Sequence, residues 1–283
     1  MPTDTKRIQG PDESQSTFLY KKRTDKLHQP LLEEGKRQDG RSPEEIRPIF
    51  LKAGVVSQAK GSCYIEMKNT KVICAVYGPR EVPRRDGFVI NGQLRCEFKF
   101  ATFASEVRQG HLTTSTEKDL ALQVQQALEP AVCLHKIPKS QVDIFITVLE
   151  NDGSVLSAAI TCASVAVANA GIEMYDLVIG SSVRQSGEKL LLDPTAFDEA
   201  ADSTATDDPQ AIITVGFLPS INQVSCLVQK GQLLSEESIK ALQHCIETCQ
   251  RIYPVVYECL KKSVKKLKTS VGSPSPVDEV PVS

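Results

Sequence analysis

Residues 154–172, SVLSAAITCASVAVANAGI, carry no charge over 19 positions, and this run constrains the fold more than any other part of the chain. Its length is close to the roughly 20 residues of a membrane span. Its Ser, Thr, Asn and Gly, and its many Ala, suit lipid poorly. A helix with small residues all round belongs in the middle of a packed protein, where other elements approach it closely from every side. The chain must therefore supply structure for both flanks of this helix. With 283 residues it is long enough for one large domain or two small ones, and 41% hydrophobic with 24% charged residues is ordinary for a globular protein.

The flanking segments read as strands and helices in alternation. Ser62, Tyr64 and Glu66 alternate with Cys63, Ile65 and Met67, a turn at Lys68-Asn69-Thr70 follows, and VICAVYG completes a hairpin over 61–78. GQLRCEFKF at 92–100 sets Leu94, Cys96, Phe98 and Phe100 against polar neighbours, the pattern of a half-buried strand. Leu120, Val124 and Leu128 then take helical spacing, with Thr116 and Asp119 as the expected N-terminal cap and Pro130 near the end. Strands are expected at 142–149, 177–183, 212–218 and 223–228. A long helix opens at Ser235 with Ile239, Leu242, Ile246, Cys249, Ile252, Val256 and Leu260 on its apolar face, and Pro254 should kink it. This order predicts an α+β fold. The expected organisation is an arm over 1–39, partly flexible, a domain over 40–268 in two similar halves (about 40–150 and 151–268), and a flexible Pro/Ser tail over 269–283.

The net charge is −2, so a globally basic nucleic-acid binder is excluded and only a local basic patch remains. Nine cysteines, an odd number spread from Cys63 to Cys259, do not form a secreted disulfide framework and read as reduced thiols. The first fifteen residues are polar and lack the apolar stretch of a secretory signal, so cytoplasm or nucleus is the expected compartment.

Motifs with strong local chemistry are missing: there is no P-loop, no dinucleotide glycine fingerprint and no His-Glu-x-x-His. His244, Cys245 and Cys249 share a helical neighbourhood but fall short of four zinc ligands, so buried cysteines are the favoured reading and no metal is expected. His28, His111 and His135 lie in the arm or in loops and receive no role. Lys261, Lys262, Lys265, Lys266 and Lys268 could attract phosphates, but no aromatic platform accompanies them, and a solvated face is favoured. Arg80, Arg84, Arg85, Arg95 and Lys99 form a looser basic group for which RNA contact and plain solvation are equally open. Asp193, Asp198, Glu199, Asp202, Asp207 and Asp208 could pair as catalytic or magnesium-binding carboxylates. Loop acids without a partnering Arg or His are more often simply solvated, and that reading is favoured.

Several stretches together resemble the RNase PH family: GRSPEEIRPIF at 40–50, AKGSCYIEMKNTKVICAVYGPR at 59–80, ALEPAV at 127–132, and LENDGSVLSAAITCASVAVANAGIEMYDLVIG at 149–180. LLDPT at 191–195, FLPSINQV at 217–224 and CQRIYPVV at 249–256 continue the likeness, which spans Gly40 to about Lys266. The resemblance implies a duplicated α/β two-layer unit, with mixed sheets packed against helices, that assembles into six-membered rings around an RNA channel. Active members resemble one another in a phosphate-binding Arg beside a glycine-rich helix start, further arginines that grip RNA, and a downstream pair of acids. Phosphate needs a fixed guanidinium and free backbone N–H groups, and the leaving ribose oxygen needs an acid or a metal.

Here Gly153 and Ser154 keep the helix start, but Val155 is followed by Leu156 at the Arg position, and an alkyl chain cannot hold phosphate. Ser115 and Thr116 stand where active relatives carry another Arg. Asp198 and Glu199 lie near the first family acid, and the second aligns with Ile212. These departures imply a non-catalytic, cofactor-free subunit of the RNA exosome core ring, supporting 3′–5′ RNA processing and degradation in nucleus, nucleolus and cytoplasm. Its expected partners are other RNase PH-like ring subunits in a hetero-hexamer, S1/KH-type cap subunits, an associated catalytic ribonuclease and single-stranded RNA, with no membrane. Arg80, Arg84, Arg85, Arg95, Lys99 and Arg108 are the candidate channel contacts. Two alternatives stand: an active phosphorolytic 3′–5′ exoribonuclease using Asp198, Glu199 or Asp208, and a regulatory module outside the exosome.

Overall fold

A computed structural model describes residues 36–82, 91–105, 108–110, 112–186, 189–200 and 210–271, the last six of these as backbone only. Most of the arm, the end of the tail, Arg84, Arg85, His28, His111, Asp202, Asp207 and Asp208 lie outside the described residues.

The first sheet takes its strands from β1 (Ile49–Ala53), β2 (Gly61–Met67), β3 (Thr70–Glu81), β4 (Gln93–Phe100) and β5 (Ser140–Glu150). Their order is β1-β2-β3-β5-β4, antiparallel except for β4 beside β5. Met67 faces Thr70 across the β2–β3 turn, so the hairpin closes over two residues, Lys68 and Asn69, with Lys68 at φ 56°. The second sheet is antiparallel throughout, ordered β7-β6-β8-β9 from β6 (Ile179–Ser186), β7 (Lys189–Leu192), β8 (Gln210–Leu218) and β9 (Gln223–Gly231).

Between the sheets runs α2 (Val155–Asn169), packed on β2 and β3 and also on β6 and β8. Residues 156–167 are buried without a break, as an uncharged run flanked on all sides requires. Close approach explains its small residues. A Cβ on Gly61 of β2 would lie 2.3 Å from the Ala166 carbonyl oxygen, and one on Gly180 of β6 would lie 2.3 Å from that of Ser157. The hydroxyls within the run have partners: Thr161 Oγ1 accepts the Gly180 N–H and Ser164 Oγ accepts the Val178 N–H, each at 2.9 Å. These are backbone donors at the start of β6 that would otherwise be buried and unpaired. Among the described residues no helix is long and apolar enough to cross a membrane.

Helix α1 (Ser115–Leu128) packs on β4 and β9. Its cap differs from the expected Thr116/Asp119 pair: Thr114 Oγ1 accepts the Glu117 N–H, while Glu117 accepts the Thr114 N–H at 2.7 Å and the Phe100 N–H at 2.8 Å. Helical spacing locates a face but not a first turn, and here the strand end at Phe100 decides which carboxylate turns inward. Helix α4 (Ser235–Val271) runs through Pro254 as one element. Its buried line is Ala241, Cys245, Cys249, Ile252 and Val256, whereas Ile239, expected inside, is exposed. This line faces β6, where Cys249 donates to the Ile179 carbonyl, and Ile239 lies off it on the outer side of the helix.

Candidate functional site

The start of α2 is held in an unusual backbone conformation. Gly153 at φ 79° and Ser154 at φ 54° are both left-handed. At Gly153 no other residue fits, because a Cβ would come within 2.5 Å of the Thr195 carbonyl carbon. Ser154 precedes the helix but does not cap it with its side chain. Its Oγ donates to the Pro194 carbonyl and accepts from Ser182 Oγ, both at 2.8 Å.

The turn is clamped by Arg47. Its Nε and Nη2 donate to the two Asp193 carboxylate oxygens at 2.7 and 2.6 Å, and Nη1 donates to the Asp152 carbonyl at 2.8 Å. Thr70 Oγ1 donates to the Gly153 carbonyl at 2.9 Å and accepts from Arg47 Nη1. Arg41 adds a further contact to Asp193 at 3.5 Å, and Arg37 pairs with Asp198 at 3.7 Å. Burial alone would push the Asp193 carboxyl up, but the hydrogen bonds and charge of Arg47 outweigh it and hold the group below the usual carboxylate range. Asp193 and Asp198 are thus buried and paired with arginines, not solvated as expected of loop acids. Their partners sit about 150 residues upstream, beyond the reach of local sequence reading.

Around the helix start lies a cavity of about 300 Å³ lined by Ser154, Val155, Leu156, Glu199, Ile212 and Lys230, among others. Five of the sequence-derived positions therefore converge. The convergence follows from register: Ile212 on β8 is the cross-strand neighbour of Lys230 on β9, and of Arg184 on β6. Glu199, in the short helix α3 (Ala196–Ala200), accepts the Ser154 N–H on Oε1 at 2.8 Å. The residue as a whole is exposed, yet its carboxylate is turned into the cavity, where loss of water raises its pKa against the opposing pull of the Ser154 N–H, Arg47, Lys230 and Arg184. A carboxylate of the chain itself thus takes the backbone N–H immediately before α2 and places its charge beside that helix start. Leu156, nearly buried, adds an alkyl wall.

Asp198 does not join this cavity. It caps α3, accepting the Thr195 N–H at 2.9 Å, and faces Arg37 in a separate polar cleft. Among the cavity residues that sequence reading missed is Lys230, which lies beyond the strand expected at 223–228 and enters because β9 runs on to Gly231 opposite Ile212.

The basic candidates lie elsewhere. Arg80, near the end of β3, pairs with the buried Asp143 of β5. Arg95 is the parallel register partner of Asp143, and Lys99 of Thr147, so both lie on the same face of the edge strand β4. Arg108 is exposed. On α4, Cys245 and Cys249 are buried; burial pushes the Cys245 thiol up to about 12, and Cys249 donates to the Ile179 carbonyl. Among the described residues no group of three or more His, Cys, Asp and Glu could hold a metal ion.

Two sheets about a small-residue helix, with a cavity at that helix's glycine-bearing start, are the RNase PH class of fold. It superposes on the crystal structure of rice (Oryza sativa) Rrp46 with a TM-score of 0.68, at 21% identity, over 79% of this chain and 100% of that one. It also superposes on a chain of the Archaeoglobus fulgidus exosome with RNA bound to the active site, with a TM-score of 0.65, at 21% identity, over 78% of this chain and 92% of that one. The chain belongs to the RNase PH family: the signature described as "3′ exoribonuclease family, domain 1" matches residues 45–173. The human exosome complex component MTR3 is 38% identical over 94% of this chain and 97% of its own length.

Proposed function

We propose that this chain is a non-catalytic structural subunit of the RNA exosome core ring. It pairs with other RNase PH-like subunits in a hetero-hexamer, carries S1/KH-type cap subunits and a separate nuclease, and routes single-stranded RNA. Full-length similarity to a protein named as an exosome component supports the ring assignment. The observation that carries the inert reading is the cavity at the start of α2: Leu156 stands where a guanidinium is required, and Glu199 already takes the Ser154 N–H. Phosphate arriving there would meet an alkyl wall and a like charge. RNA contact falls to the basic side chains outside the cavity, Arg95, Lys99 and Arg108 first among them because Arg95 and Lys99 share one face of the edge strand β4 and Arg108 is exposed, whereas Arg80 pairs with the buried Asp143.

The test is phosphate-dependent release of nucleoside diphosphate from a single-stranded RNA, by the purified chain alone and with its copurifying partners. No release is expected from the wild-type chain, and none from Leu156→Arg, because Glu199 still holds the helix start. Release by the wild-type chain alone, proportional to its concentration, overturns the reading in favour of a phosphorolytic exoribonuclease. Native purification without any other RNase PH-like chain would favour a regulatory module instead.

A further inference from the structure

The far end of α2, away from Leu156, borders a larger cavity of about 660 Å³. Met174 and Leu177, just after α2, contribute one part of its lining, and Tyr253, Tyr257 and Leu260 of α4 another. Tyr257 is 52% exposed and Val264, further along the same lining, 49% exposed, so apolar surface here meets water. Lys261 and Lys265 lie among these side chains, with Lys261 Nζ 5.8 Å from the centre of the Tyr257 ring. Asp176, which accepts from the Ser220 N–H at 2.6 Å and from its hydroxyl at 2.9 Å, keeps its charge, so the lining carries two lysines against one acid. The result is a groove that is aromatic and positively charged.

We propose that this groove is the docking site of the chain's own residues 272–283, GSPSPVDEVPVS. The chemistry of that segment matches the groove. Pro274, Pro276 and Pro281 favour an extended chain that loses little entropy on binding, and such segments dock against aromatic surfaces. Val277, Val280 and Val282 supply apolar contact, while Asp278 and Glu279, in a segment with no basic residue, complement Lys261 and Lys265. Residues 1–35 carry six basic and six acidic side chains and so bring no net negative charge to the lysines, unlike the acidic carboxyl-terminal segment. The reach is sufficient. Tyr257 lies about 21 Å back along the helix from Val271, and twelve extended residues span about 37 Å. Tethering gives an effective concentration on the order of millimolar, so even a weak contact is populated. The groove is at the opposite end of α2 from the Leu156 cavity, and its occupant is independent of whether that cavity is inert.

The test uses a fluorescein-labelled peptide of residues 272–283, titrated by fluorescence anisotropy against the full chain and against a chain ending at Val271. The peptide is expected to bind the shortened chain and to bind the full chain at least about tenfold more weakly, because the tethered segment competes. Tyr257→Ala in the shortened chain should abolish binding at an unchanged melting temperature. A peptide carrying Asp278→Lys and Glu279→Lys should fail on the shortened chain with no other change, which gives the same answer without touching the groove. No binding to the shortened chain, equal binding to both chains, or undiminished binding of the charge-reversed peptide overturns the proposal. So does photo-crosslinking from position 280 that reaches a different protein in the copurified complex and not α4.

Discussion

Arg47 and Asp193, 146 residues apart, form a buried two-pronged ion pair with N–O distances of 2.7 and 2.6 Å, and through it the start of α2 is tied to the turn that follows β7. The same guanidinium also holds the Asp152 carbonyl, so one side chain sets the backbone on which the cavity is built. Removing it strands a carboxylate that is only 4% exposed.

Arg47→Met should therefore destabilise the chain by about 3–5 kcal/mol in urea or thermal unfolding, the usual cost of leaving one partner of a buried pair uncompensated. Arg47→Lys should recover only part of this, because an ammonium cannot make both contacts. The pH dependence has a definite sign. Asp193 is held below its ordinary value of 3.8, so its contribution is fully present above that pH and is lost as pH falls below it toward the depressed folded value. Asp193→Asn should flatten the acid limb of the stability curve.

Glu199 carries the opposite sign. Desolvation raises its pKa above the ordinary 4.5, so the folded state holds the proton more tightly than the unfolded chain does. Stability from this group is present below that value and declines as pH rises through the raised one. Glu199→Gln keeps an acceptor for the Ser154 N–H without a charge to desolvate. Melting temperatures between pH 4 and 7 should show the variant equal to or above wild type at neutral pH, with the gap closing in acid. A variant that melts lower at neutral pH and recovers in acid would contradict this account.

Gly180→Ala places a Cβ 2.3 Å from the Ser157 carbonyl oxygen, with backbone on both sides of the contact, and should cost at least about 3 kcal/mol or abolish soluble expression. Gly110→Ala meets nothing within 4 Å and is the control, expected within about 0.5 kcal/mol of wild type. Equal loss in both would mean that β6 does not rest directly on the backbone of α2.

Much of the scaffold was legible because its signals are local. An uncharged run rich in Ala and Ser cannot be solvated comfortably and cannot be bulky, so α2 had to be a central helix approached closely from both sides, as Gly61 and Gly180 now show. Alternation over 61–78 required a hairpin, and its two-residue turn sits at Lys68 and Asn69. The reading of Gly153 and Leu156 as a degenerate phosphate position came instead from the resemblance to the RNase PH family, since no local pattern marks it.

What sequence alone determined, then, is which segments are helix or strand, which faces are apolar, and that the helix beginning near Ser154 is uncharged and made of small residues. Only the tertiary structure decided which charges meet. Arg47 finds Asp193, Glu199 turns to the Ser154 N–H while its neighbour Asp198 turns to Arg37, and Lys230 enters the cavity through its register with Ile212. The physical reason is range. Periodicity and turn chemistry act over a few residues of chain, whereas an ion pair or a cavity wall is chosen by segments that become neighbours only once two sheets close on one helix.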